Sequence, residues 1–486
     1  MANGDSLKKW TRNIPRKASW LMPGLSFKRW ISVSFLGFIC VLLGLALIYK
    51  IQPVSSFIRF LEWMATIMPS HISGPLMLLL GGVLVYLGTS QTYHSFFHAL
   101  TPDGRGEDLL EALYRRNKLS HGPQVVAVGG GTGLATLLRG IKRYTLNITA
   151  IVTVGDDGGS SGRLRREYGI IPPGDIRNCI AALADEEQLI TSLFQYRFRH
   201  GQGLEGHSFG NLFLSAMCHI TGDMFSAIKE SSKVLNIRGR VLPSTLEHMS
   251  LRATLEDGTV IEGESDIPKA TVRIDRLSCE PAEPKPLPDV LDSIAKAELI
   301  VLGPGSLYTS VIPNLLIPEI AKAISQSTAL KVYVVNVMTQ PGETNGYTVG
   351  DHVQAILDHA PFPNMIDAVI VNSGLPKPLV QAYEAYDYRP VVVDTQRCEA
   401  LGVSVVNTRL VEDNEEKVIR HNPRRLARAV IHWFKRESRH RSKIKPSSSA
   451  LPIDMPRQGP GQGLCDEAGF RTSLEPSEHE AASQIP

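Results

Sequence analysis

The chain has 486 residues, of which 43% are hydrophobic and 20% charged, and its formal net charge is +3. This length calls for two or more regions, and the apolar content excludes wholesale disorder. The charge is too small, and the middle of the chain too free of basic stretches interleaved with aromatics, for a dedicated nucleic-acid binder.

Residues 1–30 read as a basic N-terminus, with Lys8, Lys9, Arg12, Arg16, Lys17, Lys28 and Arg29 ahead of the first long apolar run. That run, "ISVSFLGFICVLLGLALIY" over about 31–49, carries no charge and at helical rise nearly matches a bilayer core of about 30 Å. A second uncharged run, "ISGPLMLLLGGVLVYLG", follows over about 72–88. The first run is too long for a signal-peptide core and lacks a small-residue cleavage site, so residues 31–100 read as a membrane anchor of two transmembrane helices. Only Lys50 and Arg59 lie between the runs. The positive-inside rule then predicts an inner-membrane protein with its N-terminus and everything after the anchor in the cytoplasm.

A linker over 101–123 leads to residues 124–436, where short β-branched runs alternate with helical segments. "QVVAVGG", "ITAIVTVGDD", "AELIVLGPG", "LKVYVVNVM" and "IDAVIVNSG" are apolar on both faces and read as buried parallel strands. "GDIRNCIAALAD", "SFGNLFLSAMCHITG", "LPDVLDSIAKA" and "GDHVQAILDHA" are helix candidates between them. The alternation predicts a Rossmann-like α/β domain, an open, mostly parallel sheet with helices on both faces. "LRATLEDGTVIEGES", two alternating runs around Asp257-Gly258, predicts a small antiparallel hairpin insertion. Asn422 and Pro423 suit the N-cap and first position of a closing helix. Residues 437–486, rich in Ser, Pro and Gly, read as a disordered tail. The six cysteines are scattered without CxxC or paired-His spacing, which points to reduced thiols rather than disulfides or structural zinc.

Candidate chemistry collects in polar loops that follow the expected strands. In "VVAVGGGTGLATLLRG" the glycines Gly130, Gly131 and Gly133 let backbone N–H groups approach a phosphate at a helix N-terminus, and Thr132 adds a hydroxyl. The stretch fits neither the P-loop, lacking Lys-Ser or Lys-Thr in frame, nor GxGxxG, lacking the third glycine. "VTVGDDGGSSGRLRREYG" places Asp156 and Asp157 at a strand's C-terminal end, where one can hold a divalent metal or a substrate hydroxyl and the other can order the loop. Arg163, Arg165 and Arg166 behind them either face an anion or lie on the outer face of a helix. "EGHSFGNLFLSA" sets His207 and Asn211 four residues apart, with Ser208 a natural helix cap. "LGPGSLYTS" repeats the strand-then-glycine arrangement with Gly303, Gly305, Ser306, Tyr308 and Thr309, and "VNVMTQPGETNGYTVGDHV" adds Thr339, Gln340, Glu343, Thr344 and Asn345. No GxSxG elbow, HExxH or Cys/His pair supplies a nucleophile.

Taken in order, "VAVGGGTGL", "VTVGDDGGSSGRLR", "PPGDIRNCIAALAD", "GHSFGNLFL", "LGPGSLYTSVIPNLL" and "NVMTQPGETNGYTVGDHV" resemble the gluconeogenesis factor (YvcK-like) family, related to 2-phospho-L-lactate transferase. The resemblance spans roughly residues 124–436. It implies a Rossmann-like fold and a UDP-sugar ligand such as UDP-N-acetylglucosamine, with a role in cell shape and envelope metabolism under gluconeogenic growth. In the related transferase the two glycine turns lie around a guanosine diphospho conjugate and an aspartate lies near the acceptor. Gly130 to Gly133, Asp156, Asp157, Asn211 and Gly303 to Thr309 are the matching positions, and His207 joins them as a ligand-binding candidate. If the chain is a transferase, Asp156 and Asp157 are its catalytic candidates, and Asp157 is the expected ligand for Mg²⁺. The two apolar runs before residue 100 depart from the family pattern. Partners expected are the nucleotide sugar, the membrane, envelope-synthesis proteins and a second copy of the chain, with no nucleic acid. Binding without catalysis and Mg²⁺-dependent transfer of a phosphorylated group are the competing functions.

Overall fold

The computed structural model describes residues 116–185, 187–375, 377–411 and 419–444, together with a few isolated positions between 56 and 72. The chain divides into two compact units, Met1–Ser438 and Arg439–Pro486, and the first holds the α/β domain.

Its strands and helices, in chain order, are β1 (Val125–Gly129), α1 (Gly131–Ile141), β2 (Ile148–Val152), α2 (Gly159–Tyr168), α3 (Gly174–Leu183), α4 (Glu187–Gln195), α5 (Phe209–Thr221), α6 (Met224–Val234) and β3 (Arg240–Pro243). An antiparallel excursion follows, made of β4 (Ser250–Leu255), β5 (Val260–Glu262) and β6 (Ile274–Glu280). The chain then returns through α7 (Pro288–Ala295), β7 (Leu299–Leu302), α8 (Ile312–Leu315), α9 (Pro318–Gln326), β8 (Leu330–Val334) and α10 (Val349–His359). It ends with β9 (Ala368–Asn372), α11 (Lys377–Glu384), α12 (Thr395–Ala400), β10 (Ser404–Thr408) and α13 (Pro423–Ile444).

The main sheet has seven strands in the order β10-β9-β8-β7-β1-β2-β3, and every neighbouring pair is parallel. Every residue of β1, β2, β7 and β8 is buried. Successive side chains point to opposite faces, so both faces of the sheet centre are covered, as all-parallel sheets require. From α1, Leu134, Leu137, Leu138 and Ile141 are fully buried. Each such side chain contributes about 1.5–3 kcal/mol by leaving water. The excursion is a separate three-stranded sheet, β5-β4-β6, with one face of β4 buried in alternation. It includes the expected hairpin around Asp257-Gly258 and a third strand, β6, that the sequence pattern does not announce.

Strand order reverses at β1. The chain moves outward through β2 and β3 on one side, then returns to pair β7 with the other side of β1. Connections from β1 and β7 therefore leave in opposite directions, and a crevice opens between their C-terminal ends.

The membrane anchor is a correction. No helix among the described residues is long and apolar enough to cross a membrane, so the two transmembrane helices and the inner-membrane location resting on them are not supported. Apart from Ile72, the two apolar runs lie outside the described residues. The longest described helix, α13, shows why length alone does not make a span. It is dense in Arg and Lys, and its Leu426, Val430, Ile431 and Trp433 are buried in the domain core. The same helix runs to Ile444, past the expected boundary at 436, and the remainder of the tail lies outside the described residues.

One contact ties α1 to the start of α13. A Cβ on Gly140 would sit 2.1 Å from the Pro423 carbonyl oxygen and 2.7 Å from the Ala427 Cβ. Alanine at 140 gains up to about 1 kcal/mol of helix propensity. Forcing a methyl against fixed backbone costs about 1–3 kcal/mol. Gly140→Ala should therefore lower the chemical-unfolding midpoint; a raised midpoint would mean that the two helices separate freely.

Candidate functional site

The floor of the crevice is built from backbone. β1 ends at Gly129, and α1 starts two residues later after a turn that places Gly131 at φ +64°, the left-handed region where only glycine sits without strain. Gly303, directly after β7, has φ +70° for the same reason. The two turns press together: a Cβ on Gly133 would lie 2.5 Å from the Pro304 carbonyl oxygen. No side chain of its N-cap residue Gly130 covers the first turn of α1, so the helix presents backbone amides and its positive dipole end to the crevice.

Polar side chains hold the second turn in place. Asn336 Nδ2 donates to Gly305 O (2.8 Å) and to Gln340 Oε1 (2.9 Å), and Gln340 Nε2 donates to Ser306 Oγ (2.8 Å). Beyond it, residues Leu307–Val311 form one π-helical turn. Glu343 accepts the Tyr308 amide (3.2 Å) and the Thr309 hydroxyl (3.4 Å) from that turn.

These parts enclose a cleft of about 420 Å³, within the range of about 300–1000 Å³ usual for small-molecule sites. Its lining changes character along its length. One end carries Gly130, Gly131, Thr132, Gly133 and Thr136 opposite Pro304, Gly305 and Ser306, with Asp156, Asp175 and Glu264 beside them. The other is apolar and aromatic, with Val337, Met338, Ile419 and the tyrosines Tyr383 and Tyr388, whose rings meet edge to face at 5.9 Å. Arg420 and His421 line it as well.

The carboxylates crowd one another. Asp175, in the first turn of α3, accepts from the Gly131 amide, yet burial and then the neighbouring Asp156 push its carboxyl up to about 6. Asp156 accepts from the Gly158 amide (2.9 Å) and is also raised, chiefly by burial. Glu264, carried in from the antiparallel excursion, is pushed up to about 8, by burial first and then by Asp156, Asp175, Asp157 and Glu343. His421 is held down to about 4 by burial.

The sequence-chosen residues take different places in the fold. Gly130, Gly131, Thr132, Gly133, Asp156, Gly305 and Ser306 line the cleft together. Asp157 turns away: its Oδ2 accepts from the Glu264 amide (3.1 Å) and its Oδ1 from the Ser265 amide (2.9 Å). Asn211 and His207 converge on Ser160, through Nδ2 (3.1 Å) and Nδ1 (3.0 Å) respectively, and so position α2 beneath the aspartate loop. Ser208 caps α5 as expected, accepting the Asn211 amide. Gly303 shapes its turn, while Tyr308 is buried with its hydroxyl 2.8 Å from Tyr347 OH, and Thr309 bonds Glu343. Arg165 donates to Ser250 (3.0 Å), across to the excursion.

Asp175, Glu264, Asn336, Tyr383, Tyr388, Arg420 and His421 are cleft residues that motif reading does not select. Asp175 sits inside the quoted "PPGDIRN", where its place at a helix start looks like ordinary first-turn charge. The others come from the excursion and from the loops around β8, α11 and α13, which only the tertiary fold brings near. Among the described residues no group of three or more His, Cys, Asp or Glu is placed to hold a metal ion unaided. The all-oxygen pair Asp156 and Asp175 does fit Mg²⁺, which takes one or two carboxylates and completes its shell with water and ligand phosphates. Asp157 fits less well, because both its oxygens already serve backbone amides.

The family profile described as "2-phospho-L-lactate transferase CofD" matches residues 125–411. A putative gluconeogenesis factor from Nostoc is 51% identical over 436 residues, 88% of this chain and 95% of the relative. The chain belongs to the gluconeogenesis factor family. The Bacillus subtilis gluconeogenesis factor is 50% identical over 314 residues, 64% of this chain and 98% of its own length. A solved structure of a UPF0052-family protein from Bacillus halodurans shares 50% identity and a TM-score of 0.61, covering 64% of this chain and 99% of that one. The Nostoc alignment is longer than the α/β domain, so residues flanking the domain are shared with at least this family member.

Raised carboxyls leave a mark on stability. Between about pH 4.5 and about pH 8 a folded Glu264 holds a proton that the unfolded chain releases, so its contribution is lost as pH rises through that window. The unfolding midpoint of Glu264→Gln should fall less steeply with pH than that of the native protein. Parallel profiles would show that Glu264 ionises as it does in water.

Proposed function

We propose that this protein binds a nucleotide sugar of the UDP-sugar type in the cleft between β1 and β7, and through it takes part in cell morphogenesis and envelope metabolism during gluconeogenic growth. The observation that carries the reading is the pair of glycine turns packed against each other at the reversal of strand order. Together they offer backbone N–H groups and a helix dipole to a diphosphate. The polarity of the cleft supports a ligand with two unlike ends: Tyr383, Tyr388 and Met338 suit a base, and Arg420 is the arginine beside them. Asp156 and Asp175 would repel a bare diphosphate. Mg²⁺ held by these carboxylates would remove that repulsion.

Transfer of a phosphorylated group is the second reading, favoured by the raised carboxyls at the phosphate end and by the name of the matching family profile. There Asp156 or Asp175 would accept the proton of an acceptor hydroxyl as its oxygen bonds to the distal phosphorus of the diphosphate conjugate and the bridging P–O bond breaks to release the nucleoside monophosphate. Mg²⁺ held by the carboxylates would supply neutralising charge for the leaving phosphate.

Titration calorimetry of the full chain with UDP-N-acetylglucosamine and with GDP, each with and without Mg²⁺, separates the readings. Saturable binding of the UDP-sugar, strengthened by Mg²⁺ and weakened about tenfold or more by Arg420→Ala, is the expected result. Absence of heat with either nucleotide would dismiss both. Turnover of a nucleotide diphosphate conjugate that needs Mg²⁺ and is lost in Asp156→Ala would establish the transferase.

A further inference from the structure

α5 is inverted relative to an ordinary surface helix. Its 13 residues include no Asp, Glu, Lys or Arg. The side turned to the core carries Gly210, Asn211, Leu214, Ser215 and Cys218, most of them small or polar. The side turned outward carries Phe209, Leu212, Phe213, Ala216, Met217 and Ile220, with His219 beside its end. Their spacing (i, i+3, i+4, i+7, i+8, i+11) makes one continuous stripe. Ile220 is 77% exposed, Ala216 is exposed and the rest are half-buried.

α4 extends the same surface. Leu189 (69% exposed), Leu193 (42%) and Tyr196 (56%), the last just past the helix end, follow one another at i, i+4 and i+7. The two helices meet at Phe194, whose ring lies 5.5 Å from Phe213 and 6.2 Å from Phe209, so their apolar rows adjoin. Single exposed apolar residues are ordinary, whereas a contiguous field of them marks an interface. The charges along α4 indicate what covers it. In sequence Glu186 and Glu187 stand at its start, and Arg199 and His200, both exposed, follow its end. A second α4 laid antiparallel meets acid with base at both ends and sets Leu189 against Tyr196, with Leu193 near the centre. Parallel packing would bring like charges together. A surface that complements itself in this way is what a two-fold contact between identical chains requires.

We propose that α4 and α5 form a two-fold interface between two copies of this chain, with α4 of each copy packed antiparallel on α4 of the other. The interface backs onto the cleft. Asn211, on the inward side of α5, donates to Ser160 (3.1 Å) beneath the aspartate loop. Covering the outward side therefore steadies the helix that supports Asp156.

The test is sedimentation velocity of the full chain from about 1 to about 100 μM, where a reversible dimer of twice the chain mass is expected. Leu193→Lys sets like charges against each other near the two-fold axis and should leave a monomer. Leu193 is exposed, so that variant should keep its fold, as circular dichroism will report. Exchanging the charges gives a second route that leaves the apolar rows intact. Arg199→Glu and Glu187→Arg should each weaken self-association about tenfold or more, and Glu187→Arg/Arg199→Glu together should restore most of it. Three results overturn the proposal. The native chain stays a monomer over the whole range; or folded Leu193→Lys remains as dimeric as the native chain, which would place the contact elsewhere, such as the apolar runs before residue 100; or the double exchange associates no better than the single ones. Each reads association alone and is independent of whether the cleft binds a nucleotide sugar.

Discussion

The domain is organised around the contact of two peptide turns. Where strand order reverses between β1 and β7, the first turn of α1 and the Pro304–Gly305 peptide approach so closely that a methyl group on Gly133 would collide with a carbonyl oxygen. The contact depends on sheet register, because Val128 and Leu302 are paired neighbours and the chains leave the sheet together. It also depends on the side chains behind it, since Asn336 and Gln340 hold Gly305 and Ser306 from below.

As a proposed phosphate site the cleft is electrostatically unusual, with Asp156, Asp175 and Glu264 standing beside the glycine amides. Neutral backbone dipoles attract phosphate while the carboxylates oppose it, and the carboxyls are themselves raised by burial and proximity. A cation held by the carboxylates would resolve this conflict, as would protonation. The excursion β4–β6 has a direct part in this balance, because it delivers Glu264 to the site.

The features legible in the sequence are those set by local interactions. β1, β2, β7, β8 and β9 announce themselves because a strand buried on both faces is a near-continuous apolar run, broken in these five only by Thr149, Lys331 and Asn372 among polar side chains. β10 does not: at the sheet edge its Ser404 and Asn407 are exposed and no alternation replaces the apolar run. β3 is similarly short and begins on the exposed Arg240. The glycine turns were readable from chain-local conformational demand, and Ser208 from capping. Asp156 and Asp157 were readable as a pair, but adjacent residues on a turning backbone diverge, and only the fold assigns one to the cleft and the other to the excursion. Asn211 and His207 belong to a family motif yet act one layer behind the cleft, on Ser160. The apolar runs before residue 100 had the length and composition of spans, and no described helix bears that reading out.

Asp157 joins the loop after β2 to the excursion through two amide hydrogen bonds, at Glu264 and Ser265. Two segments that sequence separates by roughly a hundred residues thereby lose their independent freedom when the domain folds. Ordering them would otherwise fall on the ligand, at about 1–2 kcal/mol of backbone entropy for each residue fixed. With the clasp already made, a ligand entering the cleft meets walls whose disorder has been removed in advance, and more of its contact energy survives as affinity.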